Sequence, residues 1–393
     1  MTSLIFCRNS PRPCPAGLDV VDPIQNPHWD DQLLALAGCS VFHSTGWAEV
    51  LSSTYSHKPA YLLNSQAGRL NALLPLMEVS SKVSGRRGVS LPFTDFCDPL
   101  LGAETAFDEV FQAAIALGKS RQWKYLEVRI GSEIGAFKQP SLEFFGHAID
   151  LKRPEAAIFS SINSTLRNEI RKAERSGVEV VLATDPNAMK LYYELHCLTR
   201  RKHGLPPQPF SFFSNIHAHL VSKGFGFVAL AFQKPRADAA GETKSNAPVP
   251  DAGPPRLFRG DCRQALQNQH PIAGGVFLNF GRRAVYKFGA SDESQTKVPA
   301  GKLALWRAIQ YYQSQQLEIL EMGRTSIENA GLRRYKQAWG AAERRIRNFK
   351  YDLIHDRMLA ERDKVYGWYN RFFTLCPPGL SRLIGAWLYP HLD

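Results

Sequence analysis

The chain has 393 residues, of which 44% are hydrophobic and 21% are charged, and it carries a formal net charge of +12. These values fit an ordinary globular protein with a sizeable core, and the length suggests two or three domains. A basic surface favours anionic partners such as tRNA, coenzyme A, a nucleotide-carried substrate or an acidic membrane face, although charge alone does not separate these from simple solubility.

The seven cysteines are scattered singly, and no C-x-x-C pair occurs. This pattern argues against a disulfide framework or a zinc site and favours a reducing compartment. The apolar run near the N-terminus, residues 4–6, is shorter than the core of a signal peptide, and no run reaches the length of a membrane-spanning helix. We therefore expect a cytoplasmic protein with no bound metal.

A first mixed α/β domain is predicted over residues 27–151, after an irregular, proline-rich segment over 1–26. Strands and helices alternate along it. The predicted elements are a helix over 43–53, a hairpin of strands over 60–63 and 70–79, a helix over 107–119, and strands over 125–130 and 146–151.

A second domain is predicted over 152–355, and it opens with an amphipathic helix. Arg167, Arg171 and Arg175 form a basic stripe on this helix, next to an apolar face. The stripe suits binding of a substrate phosphate, with a solvated helix face as the alternative. The elements that follow are a strand over 178–182, a helix from the cap Asp185 to Gly204, a strand over 225–232 and a flexible insertion near 234–260.

The segment from Gly275 to Tyr351 carries the most chemical information. It predicts a strand pair, a helix opened by the turn P-A-G-K over 299–302, a further strand and a short basic helix. Free backbone N–H groups at a helix start attract phosphate, so Gly301 and Lys302 are predicted to bind the acyl carrier. The usual pyrophosphate loop of coenzyme A-dependent enzymes is not clearly present.

Two further charged features stand near the C-terminus. Residues 324–350 hold eight basic side chains against two acidic ones, which favours an anion site that includes Arg324. The tail over 356–393 is aromatic, basic and predicted to be helical. It suits either a membrane surface or packing back on the body of the protein.

Several strings of the chain resemble a known family when taken in order. They are S-T-L-R-N-E-I-R-K-A-E-R-S-G-V-E-V, then L-Y-Y-E-L-H-C-L-T-R-R-K-H-G-L-P, then Y-K-F-G-A-S-D, P-A-G-K-L-A-L-W and G-L-R-R-Y-K-Q-A-W-G. Together they resemble the Fem-type peptidoglycan-bridge aminoacyltransferases and are similar to the FemAB-like branch of the GNAT N-acyltransferase superfamily. The resemblance covers roughly residues 40–355 and implies an α/β fold of two tandem GNAT-like domains.

The resemblance also implies a chemistry and its residues. The reaction would transfer an acyl or aminoacyl group from a thioester or tRNA ester to an amine. Tyr286 stands where the family places a strand tyrosine that faces the acceptor. Lys336, preceded by Tyr335 and followed by Trp339, matches the aromatic–lysine pair kept near the reacting carbonyl. Apart from the resemblance, two carboxylates end predicted strands. Asp292 is the predicted catalytic base and Glu321 is the other candidate, with solvation of a strand end as the alternative for both.

The chain departs from the family in two places. It has no counterpart of the long helical arm of some members. Where many bridge-forming members place an acidic site after a first-domain strand, this chain reads Glu127-Val128-Arg129-Ile130. That departure weakens the case for a peptidoglycan acceptor.

Three functions remain open from the sequence. The first is a cytoplasmic N-acyltransferase that uses acyl-CoA, another thioester or aminoacyl-tRNA as co-substrate and modifies an amine on an envelope or polysaccharide precursor. The second is a strictly tRNA-dependent peptidoglycan-bridge ligase. The third is a non-catalytic scaffold that uses the basic segment and the tail for peripheral contact with the inner membrane face.

Overall fold

A long mixed sheet organises the protein in a computed structural model, which describes residues 18–66, 69–102, 105–132, 139–233, 255–266, 269–292, 294, 298–363 and 369–392. The strands of the first half are β1 (Asp19–Val21), β2 (Lys58–Pro59), β3 (Tyr61–Gln66), β4 (Arg69–Leu74), β5 (Met77–Ser81), β6 (Gly85–Val89), β7 (Leu100–Leu101), β8 (Tyr125–Ile130) and β9 (Leu142–Asp150). Those of the second half are β10 (Val178–Ala183), β11 (Gly226–Gln233), β12 (Leu257–Phe258), β13 (Ala273–Phe280), β14 (Arg283–Ser291), β15 (Ile319–Ser326), β16 (Ala342–Asp352) and β17 (Arg357–Met358).

Helices cover both faces of this sheet. They are α1 (Trp29–Leu34), α2 (Thr45–Tyr55), α3 (Phe107–Ser120), α4 (Glu155–Ser161), α5 (Ser164–Arg175), α6 (Pro186–Lys202), α7 (Phe210–His219), α8 (Cys262–Ala265), α9 (Ala300–Ser314), α10 (Ala330–Ala338), α11 (Tyr369–Leu375) and α12 (Pro378–Leu388). Strands with helices on both sides confirm the predicted mixed α/β class.

One thirteen-stranded sheet runs through both halves of the chain. Its main order is β12-β10-β11-β13-β14-β15-β9-β16-β8-β6-β5-β2, with β17 beside β16. The last strand of the first half, β9, lies between β15 and β16 and pairs antiparallel with both. Strand β16 also pairs with β8. The two predicted domains therefore share continuous backbone hydrogen bonding across the proposed boundary at residue 151.

The predicted hairpin over 60–63 and 70–79 is corrected by the structure. Its second strand is two strands, β4 and β5, separated at Pro75 and Leu76. Proline offers no N–H to a ladder, so the chain leaves one sheet and enters another there. Strand β4 lies in a separate four-stranded sheet of order β1-β3-β4-β7, whereas β5 belongs to the long sheet.

Local signals at helix ends are confirmed. The side chain of Asp185 accepts hydrogen bonds from the backbone N–H groups of Asn187 and Ala188 and so caps α6. Gly177 and Gly204, which follow α5 and α6, have φ values of +74° and +63°. The helix predicted over 43–53 begins instead at Thr45, because Ser44 serves as its N-cap.

Three apolar clusters hold these layers together. One packs α2, α6 and α7 on one face of the second-half strands, and another packs α5 and α9 on the opposite face. A third lies under α3 in the first half. Within the predicted insertion near 234–260, residues 234–254 lie outside the described part, whereas β12 pairs in parallel with β10.

The C-terminal tail packs back on the body of the protein. The hydroxyl of Tyr389 accepts a hydrogen bond from Arg200 at 2.7 Å and donates one to the carbonyl of Pro206 at 3.2 Å. The carbonyl of His391 accepts one from Arg87 at 2.8 Å. Among the described helices, none has the length and apolarity to cross a membrane.

Candidate functional site

The candidate site is a wedge between β14 and β15. The two strands pair in parallel only over residues 283–285 and 319–321. Beyond that point β14 stays with β13, while β15 follows β9. Strands that separate leave backbone donors and acceptors facing the gap, where a ligand's carbonyl or amide groups can bind.

Both strands of the wedge are irregular where they separate. The pairing of β13 with β14 shifts after Val276 and leaves Lys287 as the extra residue. The pairing of β15 with β9 shifts between Glu321 and Arg324, where Gly323 has a φ of +72°. An inserted residue bends a strand and increases its twist, so the two irregularities account for the divergence.

A cavity of about 740 Å³ occupies the wedge. Its walls come from α5, α6, β13, β14, β15, α9 and α10. Six of the ten residues predicted to act in catalysis or binding line it: Tyr286, Asp292, Gly301, Lys302, Tyr335 and Lys336. The fold thus brings together residues that are spread over about fifty positions of the sequence.

The start of α9 forms one end of the cavity. Pro299 is its N-cap, and no side chain from the described residues caps its first turn. A Cβ added to Gly301 would meet only the Cβ of Ala273, at 3.6 Å, so the backbone here is open to approach. Lys302 forms an ion pair with Glu169 of α5. Ala300 and Lys302 already donate their N–H groups to the carbonyls of Val298 and Pro299, so the N–H of Gly301 and the helix dipole are what favour an anionic group here.

Tyr286 lies flat on the floor of the wedge. Its ring stacks on Phe277 with a centroid distance of 4.8 Å and an interplanar angle of 12°. The position depends on two glycines, because a Cβ at Gly289 would stand 2.0 Å from the Tyr286 hydroxyl and one at Gly275 would stand 2.9 Å from its ring. Burial, with a smaller effect of Tyr335, raises the pKa of Tyr286 well above its ordinary value, so the side chain is a neutral phenol.

Lys336 places a cation in the cavity wall. It is only 6% exposed, and its Nζ donates hydrogen bonds to the carbonyls of Gly323 and Arg324, each at 2.9 Å. An ammonium has three N–H donors, so one remains for a ligand. Burial lowers the pKa of Lys336 to about 8, although the carboxylate of Asp95 acts in the opposite direction.

Asp95 is a member of the site that the sequence argument missed. It lies between β6 and β7 in the first half of the chain, and a Cβ on Gly323 would stand 2.9 Å from its carboxylate oxygen. Burial alone would raise the pKa of Asp95, but the cations Lys287, Arg324 and Lys336 outweigh it and hold the pKa below its usual value. Lys287 could have indicated it, because a lysine among the apolar residues of a predicted strand requires an anionic partner.

Asp292, the predicted base, lines the cavity where β14 ends. It is 9% exposed, and its Oδ1 accepts hydrogen bonds from the backbone N–H of Ser294 at 3.0 Å and from its hydroxyl at 2.5 Å. These contacts fix the carboxylate at the mouth of the wedge. The other strand-end candidate, Glu321, instead accepts from Arg283 and Arg344 at 2.7 and 3.0 Å and does not line this cavity.

The remaining predicted residues lie outside the lining. Arg167 donates to the carbonyl of Ser160, and Arg171 lies over the ring of Phe159. Arg324 lies over Phe144, while its carbonyl holds Lys336. Trp339 is fully buried and packs edge-on against Tyr335. Trp339 thus lies behind a residue that lines the cavity, and its role in substrate binding stays a prediction.

The basic segment over 324–350 does not form one face. Its side chains are distributed over β15, α10 and β16, and most have partners within the protein. Arg333 forms two hydrogen bonds with Glu343, and Lys350 pairs with Glu361. The predicted broad anion site is thus reduced to Lys336, together with the start of α9.

One cluster has the spacing of metal ligands. Ligand atoms of Asp185, Asp261 and Cys262 lie within 4.8 Å of one another. Both aspartates are already N-caps, of α6 and α8. Burial, together with Asp185, raises the pKa of Cys262 to about 12, which leaves the thiol protonated and a poor ligand. Helix capping accounts for this cluster.

Comparison with solved structures places the fold. FemX superposes with a TM-score of 0.61 over 81% of this chain and 94% of its own, at 13% identity. This likeness confirms a FemAB-like fold. L-PGS from Bacillus licheniformis superposes with a TM-score of 0.51 over 92% of this chain and 97% of its own, also at 13% identity.

A tandem GNAT protein from the clavulanic acid biosynthesis pathway is more distant, with a TM-score of 0.47 over 86% of this chain and 95% of its own, at 10% identity. No protein-family model matches the chain, and no curated protein matches it. At these identities the likeness concerns the fold alone, so the chemistry of the site has to be argued from its own residues.

Lys336 should titrate near neutrality. We expect its ammonium to lose its proton as the pH rises through about 8. Replacing Asp95 by Asn removes the anion that favours the charged form, so the pKa should fall further. The measurement is an NMR titration of labelled lysine side chains, with the Lys336 signal assigned by its loss in Lys336→Arg. An ordinary lysine pKa near 10.4 for this signal would contradict the described burial.

Proposed function

We propose that this protein is an N-acyltransferase, which moves an acyl or aminoacyl group from a thioester or a tRNA ester to an amine on a cell-envelope or polysaccharide precursor. The observation that carries the proposal is the meeting of a buried ammonium, a neutral phenol and an open helix start in one cavity. Acyl transfer requires a stabilised oxyanion, a supported leaving group and a held donor, and these three features supply them.

The donor would enter by the start of α9. Both donor classes carry phosphate groups, which the backbone around Gly301 can bind. The acyl carbonyl would then lie in the wedge, where the separated edges of β14 and β15 offer backbone groups to it. Lys302 is less available to bind a phosphate than the sequence indicates, because it already forms an ion pair with Glu169. Anion binding at this end therefore depends mainly on the backbone.

The reaction follows from the placement of the side chains. The amine nitrogen attacks the carbonyl carbon, and the negative charge that develops on the carbonyl oxygen is stabilised by the ammonium of Lys336. Asp292 accepts the proton that the amine releases. The bond from carbon to sulfur or oxygen breaks, and the leaving atom accepts a hydrogen bond or a proton from Tyr286. Where a proton is transferred, Tyr286 regains one from solvent and Asp292 releases to solvent the one that it took from the amine. Each group acts from the wall of the same cavity.

The pKa of Tyr286 bears on the choice of donor. A phenol with a raised pKa gives up its proton more readily to an alkoxide than to a thiolate, because the alkoxide is the stronger base. An oxygen ester such as aminoacyl-tRNA therefore draws full benefit from Tyr286. A thioester draws only a hydrogen bond. For this reason we keep aminoacyl-tRNA as a candidate donor beside acyl-CoA.

Replacing Lys336 by Met should lower kcat by about 10²–10³-fold, because the oxyanion loses its cation. Methionine is one atom shorter than lysine and apolar, so the carbonyls of Gly323 and Arg324 lose their donor and we expect the variant to fold with a lower unfolding midpoint. The measurement is the rate of amine acylation with a purified donor and acceptor, together with the thermal unfolding midpoint of each variant.

Lys302→Met is the matched control, since Lys302 lines the same cavity but faces Glu169. It should change KM for the donor more than kcat. If Lys336→Met kept the wild-type kcat, Lys336 would not stabilise the oxyanion, and the proposed mechanism would be wrong.

Replacing Tyr286 by Phe separates the donors. With an oxygen-ester donor we expect a loss of kcat of about 10²-fold or more, and with a thioester donor a smaller loss. The assay compares the two donors with the same acceptor, and ribonuclease treatment identifies dependence on tRNA. Equal and negligible losses with both donors would show that Tyr286 does not assist the leaving group.

A further inference from the structure

The C-terminal helices present an apolar surface to solvent. Leu375, Leu383 and Trp387 are 79%, 70% and 64% exposed. Six of the thirteen large apolar side chains that are exposed in the described chain lie within residues 372–392. We call this set the tail surface, and its members are Phe372, Leu375, Leu380, Leu383, Trp387 and Leu392. Exposed apolar side chains that are concentrated in one short segment mark an interaction site.

The tail surface is held in place by the opposite face of the same helices. Phe373 and Cys376 are buried, and Gly385 is packed so closely that an added Cβ would stand 2.1 Å from the carbonyl of Pro207. Arg201 of α6 donates a hydrogen bond to the carbonyl of Thr374. The helices are therefore packed on the body of the protein, and the exposed apolar side chains belong to an ordered surface.

The charged side chains of α11 and α12 themselves have one sign. Residues 369–388 contain two arginines and no aspartate or glutamate. Both arginines, Arg371 and Arg382, are exposed, and the adjoining end of α6 adds the exposed Arg201 and Lys202. Apolar and aromatic side chains surrounded by cations are the composition of helices that lie in the surface of an anionic bilayer.

The C-terminal tail also contacts the helix that lines the cavity. Thr199 of α6 lines the cavity, and the next residue, Arg200, donates to the hydroxyl of Tyr389 in the tail. Leu198, on the same turn, is 46% exposed. A single turn of α6 thus connects the cavity wall with the tail.

We propose that the tail surface binds the anionic face of a phospholipid bilayer, so that α11 and α12 lie in the headgroup region and the cavity opens beside it. A second copy of the chain is a poorer fit. In a two-fold interface each surface meets itself, and the arginines of α11 and α12 would find no carboxylate on the facing helices. The proposal does not depend on the acyl-transfer chemistry.

Flotation with lipid vesicles tests the proposal on the full chain. We expect the protein to float with vesicles that contain phosphatidylglycerol, to bind weakly to vesicles of phosphatidylcholine alone, and to be released by high salt. The double variant Leu383→Gln/Trp387→Gln should lose about tenfold or more of its binding to the anionic vesicles, because two apolar side chains no longer enter the bilayer.

The matched control is Val83→Gln/Ile354→Gln, which removes two apolar side chains that are 69% and 65% exposed elsewhere. It should bind like the wild type, and both variants should unfold at wild-type temperatures since the changed side chains face solvent. The proposal is overturned if the wild-type protein fails to float with anionic vesicles or if both double variants bind equally. It is also overturned if light scattering shows a dimer that only Leu383→Gln/Trp387→Gln dissociates.

Discussion

From Tyr286 to Ser291, the edge of β14 that faces β15 has no strand beside it in the described chain. Strand β15 follows β9 instead, which the fold inserts between β15 and β16. The gap places an edge of β14 that has no neighbouring strand, a stacked tyrosine and the start of α9 around one volume. The irregularities at Lys287 and Gly323 turn β14 and β15 apart, and the pairing of β15 with β9 of the first half keeps them apart, so the site depends on the shared sheet.

Electrostatics connects the halves at the same place. Asp95 comes from the first half, whereas Lys287, Arg324 and Lys336 come from the second. Lys287 is itself surrounded by the rings of Phe42, Trp47 and Phe288, and it donates to the carbonyl of Phe93. Buried charges of this kind require partners. The network therefore favours one relative position of the two halves, while burial, against the opposing effect of Asp95, gives Lys336 its lowered pKa.

Local signals in the sequence predicted local structure well. The cap at Asp185, the stops at Gly177 and Gly204, and the helix opened by Pro299 all depend on residues close in the chain, and the structure has them. The resemblance in motif order predicted the FemAB-like fold, which the superposition on FemX confirms.

What the sequence did not predict depends on contacts between distant residues. The separation of β4 from β5, the insertion of β9 and the approach of Asp95 to Lys336 each join segments that no periodicity connects. Within the predicted site, the sequence identified side chains of the right chemistry. It did not show that Glu169 forms an ion pair with Lys302 or that Trp339 is buried against Tyr335.

The most informative experiment is a crystal structure with a stable donor analogue, either an acyl-CoA ketone or an aminoacylated adenosine amide that carries a 5′-phosphate. The account predicts that the analogue's carbonyl lies in the wedge between β14 and β15, with its oxygen within hydrogen-bond distance of the Lys336 Nζ and its phosphate at the start of α9. A donor bound elsewhere, such as in the separate cavity that Lys152, Arg283 and Arg344 line, would contradict it.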